Sequence, residues 1–163
     1  MTKKMMTQMT VVAVSAWLAG LVTAHAALVA AGGLGIANEP GKKFAPAAMV
    51  YYAKPQWEAG YLNEGVNYGT DGVFVQYRLT GVVTPKLHVA AALGPEVLNT
   101  THDIRPGVRT DSYHASLFVS LSLSYRVTKR WRVGVRWNHI TFQQSPTFGY
   151  RDADMVMLTV GYQ

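Results

Sequence analysis

The chain has no cysteine and little charge. Without Cys, a disulfide framework, a thiolate zinc site and a cysteine nucleophile are all excluded. Charged residues make up 15% and hydrophobic ones 49%. That is the opposite of a disordered chain, which needs low hydrophobicity and high charge. Acidic residues are scarce as well, nine against fifteen Lys and Arg, for a formal net charge of +6. The excess is small and scattered, so no nucleic-acid partner is expected. The sequence also lacks a glycine-rich phosphate loop between a strand and a helix, and it has no His and carboxylate residues at metal-ligand spacing. No metal or organic cofactor is implied.

What is present begins with a leader. Lys3 and Lys4 precede the apolar run Val11 to Val22, and Ala24-His25-Ala26 places small residues where a signal peptidase reads them. The run is about 12 residues long, short of the roughly 20 that span a bilayer as a helix. Residues 1–26 therefore read as a signal peptide and 27–163 as one domain. Removing Lys3 and Lys4 lowers the charge from +6 to about +4.

Beyond residue 26 the repeating signal has period two. Val73, Val75, Tyr77 and Leu79 alternate with Gln76, Arg78 and Thr80. Leu117 to Tyr125 alternate with Ser116, Ser120, Ser122, Ser124 and Arg126, and Val133, Val135 and Trp137 alternate with Arg132, Gly134, Arg136 and Asn138. Such alternation predicts strands with one apolar and one polar face. Eight are predicted, at 27–36, 44–53, 56–63, 72–82, 86–98, 112–126, 131–142 and 152–162. Short turns near Pro55, Pro85 and Lys129 alternate with longer connections at 37–43, 64–71, 99–111 and 143–151. This is the asymmetry of an all-β, eight-stranded antiparallel outer-membrane barrel, with both termini at the short-turn end. A soluble up-and-down barrel shares the alternation with its faces exchanged. The leader, the aromatic residues near strand ends and Tyr162 favour the outer membrane of a Gram-negative cell.

Eight strands leave an interior that side chains fill, which disfavours a channel. Glu58, Arg78, Glu96, Arg126, Arg132 and Arg136 share the inner phase and are expected to form a structural network of opposite charges, with His88 and His114 beside them. The exception is outside. The lipid-facing phase of the seventh strand, continued past Trp137, reaches His139 and Thr141. That of the eighth, run backwards from Val156, reaches Asp154 and Asp152. Polar groups are normally avoided on this face. If Trp137 lies opposite Val156, then His139 faces Asp154 and Thr141 faces Asp152, with Cβ atoms about 4.5 to 5.5 Å apart. A hydroxyl, an imidazole and a carboxylate converge there, as nucleophilic attack on an ester requires. A polar rim at the bilayer boundary costs little, about 0 to 1 kcal/mol, and needs no chemistry to explain it.

The stretch Val133 to Thr141, the loop after it and the acidic start of the last strand resemble the end of the PagL-type lipid A 3-O-deacylases, or acyloxyacyl hydrolases. Trp57-Glu58-Ala59-Gly60-Tyr61 and the final Gly161-Tyr162 fit the same order of segments. The resemblance implies a carboxylic ester hydrolase of the outer membrane. Its partner would be the lipid A of lipopolysaccharide, losing a 3-O-linked acyl chain. Carried across, His139 is the base, Thr141 the nucleophile and Asp154 the acidic partner. Thr141 and Phe142 stand where the family has Ser and Asn, and Asp154 where it has Glu. Asp152 is an alternative acid and Ser145 an alternative nucleophile. The competing expectation is a non-catalytic barrel with a structural, adhesive or binding role. It would act through His102, Asp103, Arg105 and Arg109 of the longest loop.

Overall fold

A computed structural model describes residues 26–37, 44–64, 70–105, 108–142 and 152–163. They form eight antiparallel strands: β1 (Ala27–Ala37), β2 (Phe44–Ala53), β3 (Trp57–Glu64), β4 (Thr70–Val82), β5 (Leu87–Arg105), β6 (Val108–Arg126), β7 (Trp131–Phe142) and β8 (Asp152–Tyr162). Each pairs with its sequence neighbours, and β1 closes onto β8 from Leu28↔Tyr162 to Ala37↔Ala153. Closure leaves the wall of eight described strands without an open edge, which a barrel surrounded by lipid requires. The leader expected over 1–26 lies outside the described residues except for Ala26.

Two of the short turns share one device. In Val83-Thr84-Pro85-Lys86-Leu87, the Leu87 amide donates to Thr84 Oγ1 at 3.0 Å, and in Val127-Thr128-Lys129-Arg130-Trp131 the Trp131 amide donates to Thr128 Oγ1 at 3.0 Å. The threonine hydroxyl takes up the Trp131 amide, and in the other turn it shares the Leu87 amide with the Thr84 carbonyl at 3.1 Å. These turns, and the one near Pro55, lie where the alternation places them.

The alternation also selects the faces correctly. Val73, Val75, Tyr77, Leu79, Leu117, Leu121, Leu123, Val133, Val135, Val156, Leu158 and Val160 are all exposed. A belt of this kind around a closed barrel is a lipid-facing surface rather than a water-facing one, which excludes the soluble alternative.

The interior is filled in two layers. Nearer the short turns, fully buried Arg136 spans the lumen. It donates to Glu58, Gln76 Oε1 (2.9 Å), Ser120 Oγ (2.7 Å) and Asn138 Oδ1 (2.6 Å), and its guanidinium lies 4.6 Å above the Tyr51 ring. Toward the long connections Leu62, Phe74, Leu98, Phe118, Ile140 and Met155 form an apolar plug, with Phe74 and Phe118 edge to face at 5.0 Å. The charges inside do not all cancel as expected. Glu58 takes Arg78 (3.3 Å) as well as Arg136, and Glu96 accepts from Ser116 (3.3 Å). Arg126 and Arg132, in contrast, face one another directly across β6 and β7.

The loop expected at 99–111 is mostly not a loop. β5 and β6 continue as a ladder through Thr100↔Ser112 and His102↔Thr110 to Arg105↔Val108, with an irregularity between Asp103 and Arg105. The period-two signal fades there because polar residues occupy both phases. A hairpin that leaves the bilayer has no lipid-facing side to keep apolar. His102, Asp103, Arg105 and Arg109 therefore sit on strand backbone.

Closure of the seam depends on Gly33. A Cβ built there meets the Val156 carbonyl oxygen at 2.0 Å and Met157 Cα at 2.6 Å. Both are backbone, so no side chain can swing aside. Gly33→Ala is expected to push β1 from β8 and to cost about 1 to 3 kcal/mol, the range for overpacking. A lowered temperature of conversion from the folded to the unfolded gel band measures it. Gly32, with nothing within 4 Å of its added Cβ, is the control.

Candidate active site

The register of β7 on β8 follows from the apolar phases of both strands, which must face lipid together. Trp137 lies opposite Val156, His139 opposite Asp154 and Thr141 opposite Asp152. All four polar residues stand on the outer face near the end that leads into residues 143–151.

His139 Nδ1 lies 3.0 Å from Asp154 Oδ1. Both side chains are part-exposed, 26% and 35%, so the pair is open to a molecule approaching from the membrane. A carboxylate accepts only, so the shared proton belongs to Nδ1 and the lone pair of neutral His139 is on Nε2. That is the tautomer a general base needs, and it points a basic nitrogen away from its orienting acid. The ring plane is fixed from a second side. Trp137, two residues earlier on the same face, stacks on the imidazole with centroids 5.8 Å apart and planes 20° apart. Sequence reasoning assigned Trp137 to the lipid belt alone. The signal for its second contact is its i, i+2 spacing to His139.

Thr141 is exposed, one pleat beyond His139 on the same face. Among the described residues no hydrogen bond joins it to His139. Catalytic hydrogen bonds often tighten only when substrate is bound, so a loose unliganded geometry still fits the role. Asp152, the alternative acid, faces Thr141 rather than the imidazole, and its Oδ1 is buried without a hydrogen-bond partner among the described residues. Ser145 lies outside the described residues.

The depth of the cluster can be gauged from the opposite boundary. Trp131 and Tyr162 pack edge to face at 5.1 Å beside the short turns, in the position of an aromatic girdle. His139 is eight residues further along β7. At about 3.3 Å per residue on a strand tilted by about 40°, it stands about 20 Å above that girdle, and Thr141 about 25 Å. An apolar band is about 25 Å tall. The hydroxyl, imidazole and carboxylate thus lie where acyl chains meet headgroups on the far side of the membrane. Ester carbonyls of a lipid lie at that level.

No protein-family model matches the chain, and no curated protein matches it. Solved structures do. Neisserial surface protein A superposes with a TM-score of 0.70 at 11% identity, over 84% of this chain and 96% of that one. The N-terminal β-barrel domain of OprF from Pseudomonas aeruginosa gives 0.54 at 12%, over 82% and 96%. Ail, the attachment invasion locus protein of Yersinia pestis, gives 0.54 at 11%, over 86% and 99%. At such identities the likeness is one of fold. The fold is that of an eight-stranded outer-membrane β-barrel, and the apolar belt independently requires the same placement.

Proposed function

We propose that this outer-membrane barrel is a lipid A deacylase, hydrolysing the 3-O-linked acyl ester of lipopolysaccharide with Thr141, His139 and Asp154. The observation that carries the reading is the His139–Asp154 pair at 3.0 Å on the lipid-facing surface, with a hydroxyl one pleat away at ester depth. Such a pair does nothing for the interior, so packing gives no reason for it.

In the proposed reaction His139 Nε2 takes the proton from Thr141 Oγ1 as that oxygen bonds to the ester carbonyl carbon. The tetrahedral intermediate collapses with release of the sugar oxygen, which receives the proton from His139. Water then attacks the acyl-threonine by the same route in reverse and frees the fatty acid. Asp154 holds the ring and stabilises the imidazolium in both halves. No step calls on a metal or an organic cofactor.

Mass spectrometry of lipid A from cells with and without the protein tests the reading. Loss of one hydroxyacyl chain is the expected result, and an unchanged spectrum at full expression of folded barrel overturns it. Thr141 has its own test. Thr141→Ala is expected to abolish the loss, whereas Thr141→Ser keeps or raises it, since removing a β-branch methyl relieves crowding at the attacking oxygen. Equal activity of Thr141→Ala and the parent would remove Thr141 from the mechanism.

One observation favours a second, non-catalytic reading. The β5–β6 ladder runs beyond Asn99, the last residue of β5 that pairs with β4, so a two-stranded arm stands above the barrel. An arm of this kind suits contact with an extracellular partner. If it is the functional element, replacing 100–111 by a tight turn abolishes partner binding and leaves lipid A untouched.

A further inference from the structure

We propose that the short-turn mouth of the barrel binds a phosphate-class oxyanion between Arg132, His88 and Ser124. The site is inside the lumen, at the opposite end from His139, and does not depend on the deacylase reading.

A cavity of about 230 Å³ opens there, lined by Arg78, His88, Ser122, Ser124, Arg132 and Thr159 among others. The local sequence hollows it out. His88, Ser124, Gly134 and Thr159 form one row across β5 to β8, and Arg132 is opposite Gly161 in the next, so glycine and hydroxyl side chains leave the space into which the long cations reach.

Its charge is one-sided. Arg126 and Arg132 are direct cross-strand partners on the inner face, an arrangement that destabilises a sheet when nothing lies between the two charges. Arg78 and Arg126 both lie within electrostatic range of Arg132. Among the described residues Glu58 answers Arg78, and no carboxylate pairs with Arg126 or Arg132. Glu58 is already shared by Arg136 and Arg78, and Glu96 stands at the other end beside Ser116. Arg132 spends one donor on the Gln163 side-chain oxygen (3.3 Å), and Arg126 turns to the Pro85 carbonyl. His88 Nε2 is buried without a hydrogen-bond partner.

A wholly structural interior would place an acid on this ring, as it does one layer deeper with Glu58. Here there are instead a guanidinium fork, an open imidazole nitrogen and the Ser124 hydroxyl around a space with room for a phosphate group and water beside it, while the Ser122 hydroxyl is turned to the Ala90 carbonyl at 3.5 Å. A tetrahedral dianion supplies the missing charge and accepts from Arg132, His88 and Ser124. Guanidinium forks match phosphate oxygens in pairs. The group can come from free phosphate in solution or from the headgroup of a phospholipid in the near leaflet. Both present the same chemistry.

The test uses folded protein in a phosphate-free, non-ionic detergent, with inorganic phosphate titrated at an ionic strength held constant by sodium chloride. Phosphate is expected to raise the unfolding temperature of the parent and to broaden its own ³¹P resonance. In Arg132→Gln the affinity should fall at least about tenfold, the effect of losing one charge-assisted contact. His88→Gln should bind more weakly than the parent, and serves if Arg132→Gln does not fold. Without phosphate, Arg132→Gln should resist heat at least as well as the parent, because it relieves the pairing with Arg126. If inorganic phosphate has no effect but the headgroup resonance of phosphatidylglycerol nanodiscs broadens for the parent and not for Arg132→Gln, the proposal stands with the lipid as source. Equal responses of parent and variant, or no response to either probe, overturn it.

Discussion

His139→Asn is expected to lower deacylation of lipid A by about 10⁴-fold or more while the barrel folds and resists heat as before. The magnitude is that of removing the base from a hydroxyl-imidazole-carboxylate triad. The unchanged fold follows from position. His139 stands on the outer face, touches Trp137 and Asp154, and takes no part in the buried network around Arg136. Asn is the informative replacement because it stays polar and can still meet Asp154, yet has no basic nitrogen to offer Thr141. Asp154→Asn should lose less, by one to two orders of magnitude, since the carboxylate orients the ring without bonding to substrate. Trp137→Leu keeps the apolar belt and removes the stacked ring, so a fall in rate with unchanged heat resistance would show that the stack positions the imidazole. If His139→Asn deacylates as fast as the parent, the paired His139 and Asp154 are a polar rim and the catalytic reading fails.

Much of this architecture is legible in the sequence because a membrane barrel writes its two faces in alternate residues. Val133, Val135 and Trp137 fix the phase of β7, and Val156, Leu158 and Val160 that of β8. The register His139↔Asp154 then follows from keeping both phases in lipid. Elsewhere the signal is missing for physical reasons. Beyond Asn99 the chain has left the bilayer, neither face needs to be apolar, and the continued β5–β6 ladder reads as loop. The interior charges could be assigned to a face but not to partners, since pairing across the lumen depends on strand tilt and side-chain reach. Glu58 meets Arg136 and Arg78. Arg126 and Arg132 stand opposite each other in the register and turn to the Pro85 carbonyl and the Gln163 side chain. The apolar plug was hidden as well: Phe74, Phe118 and Ile140 fall in the inner phase among polar neighbours, where a residue-by-residue reading sees only interruptions.

Arg136→Leu is expected to cost the barrel about 3 to 5 kcal/mol, the penalty for breaking a buried ion pair from one side. Arg136 is fully buried, and one guanidinium supplies donors to Glu58, Gln76, Ser120 and Asn138 while covering the Tyr51 ring. Leucine fills part of the space and satisfies none of these acceptors. The Glu58 carboxylate then keeps only Arg78, at 3.3 Å, and the oxygens of Gln76 and Asn138 lose a charged donor in a place water does not reach. Arg136→Lys should recover only part of the loss, since a single ammonium cannot meet acceptors spread over β3, β4, β6 and β7. Adding Glu58→Gln to Arg136→Leu should also recover part, because a buried carboxylate left with the part-exposed Arg78 as its one cation costs more than a neutral amide in its place. The measurement is the denaturant midpoint of the folded gel band for the four proteins side by side. An Arg136→Leu barrel as stable as the parent would mean that the network is not what holds the short-turn half of the lumen together.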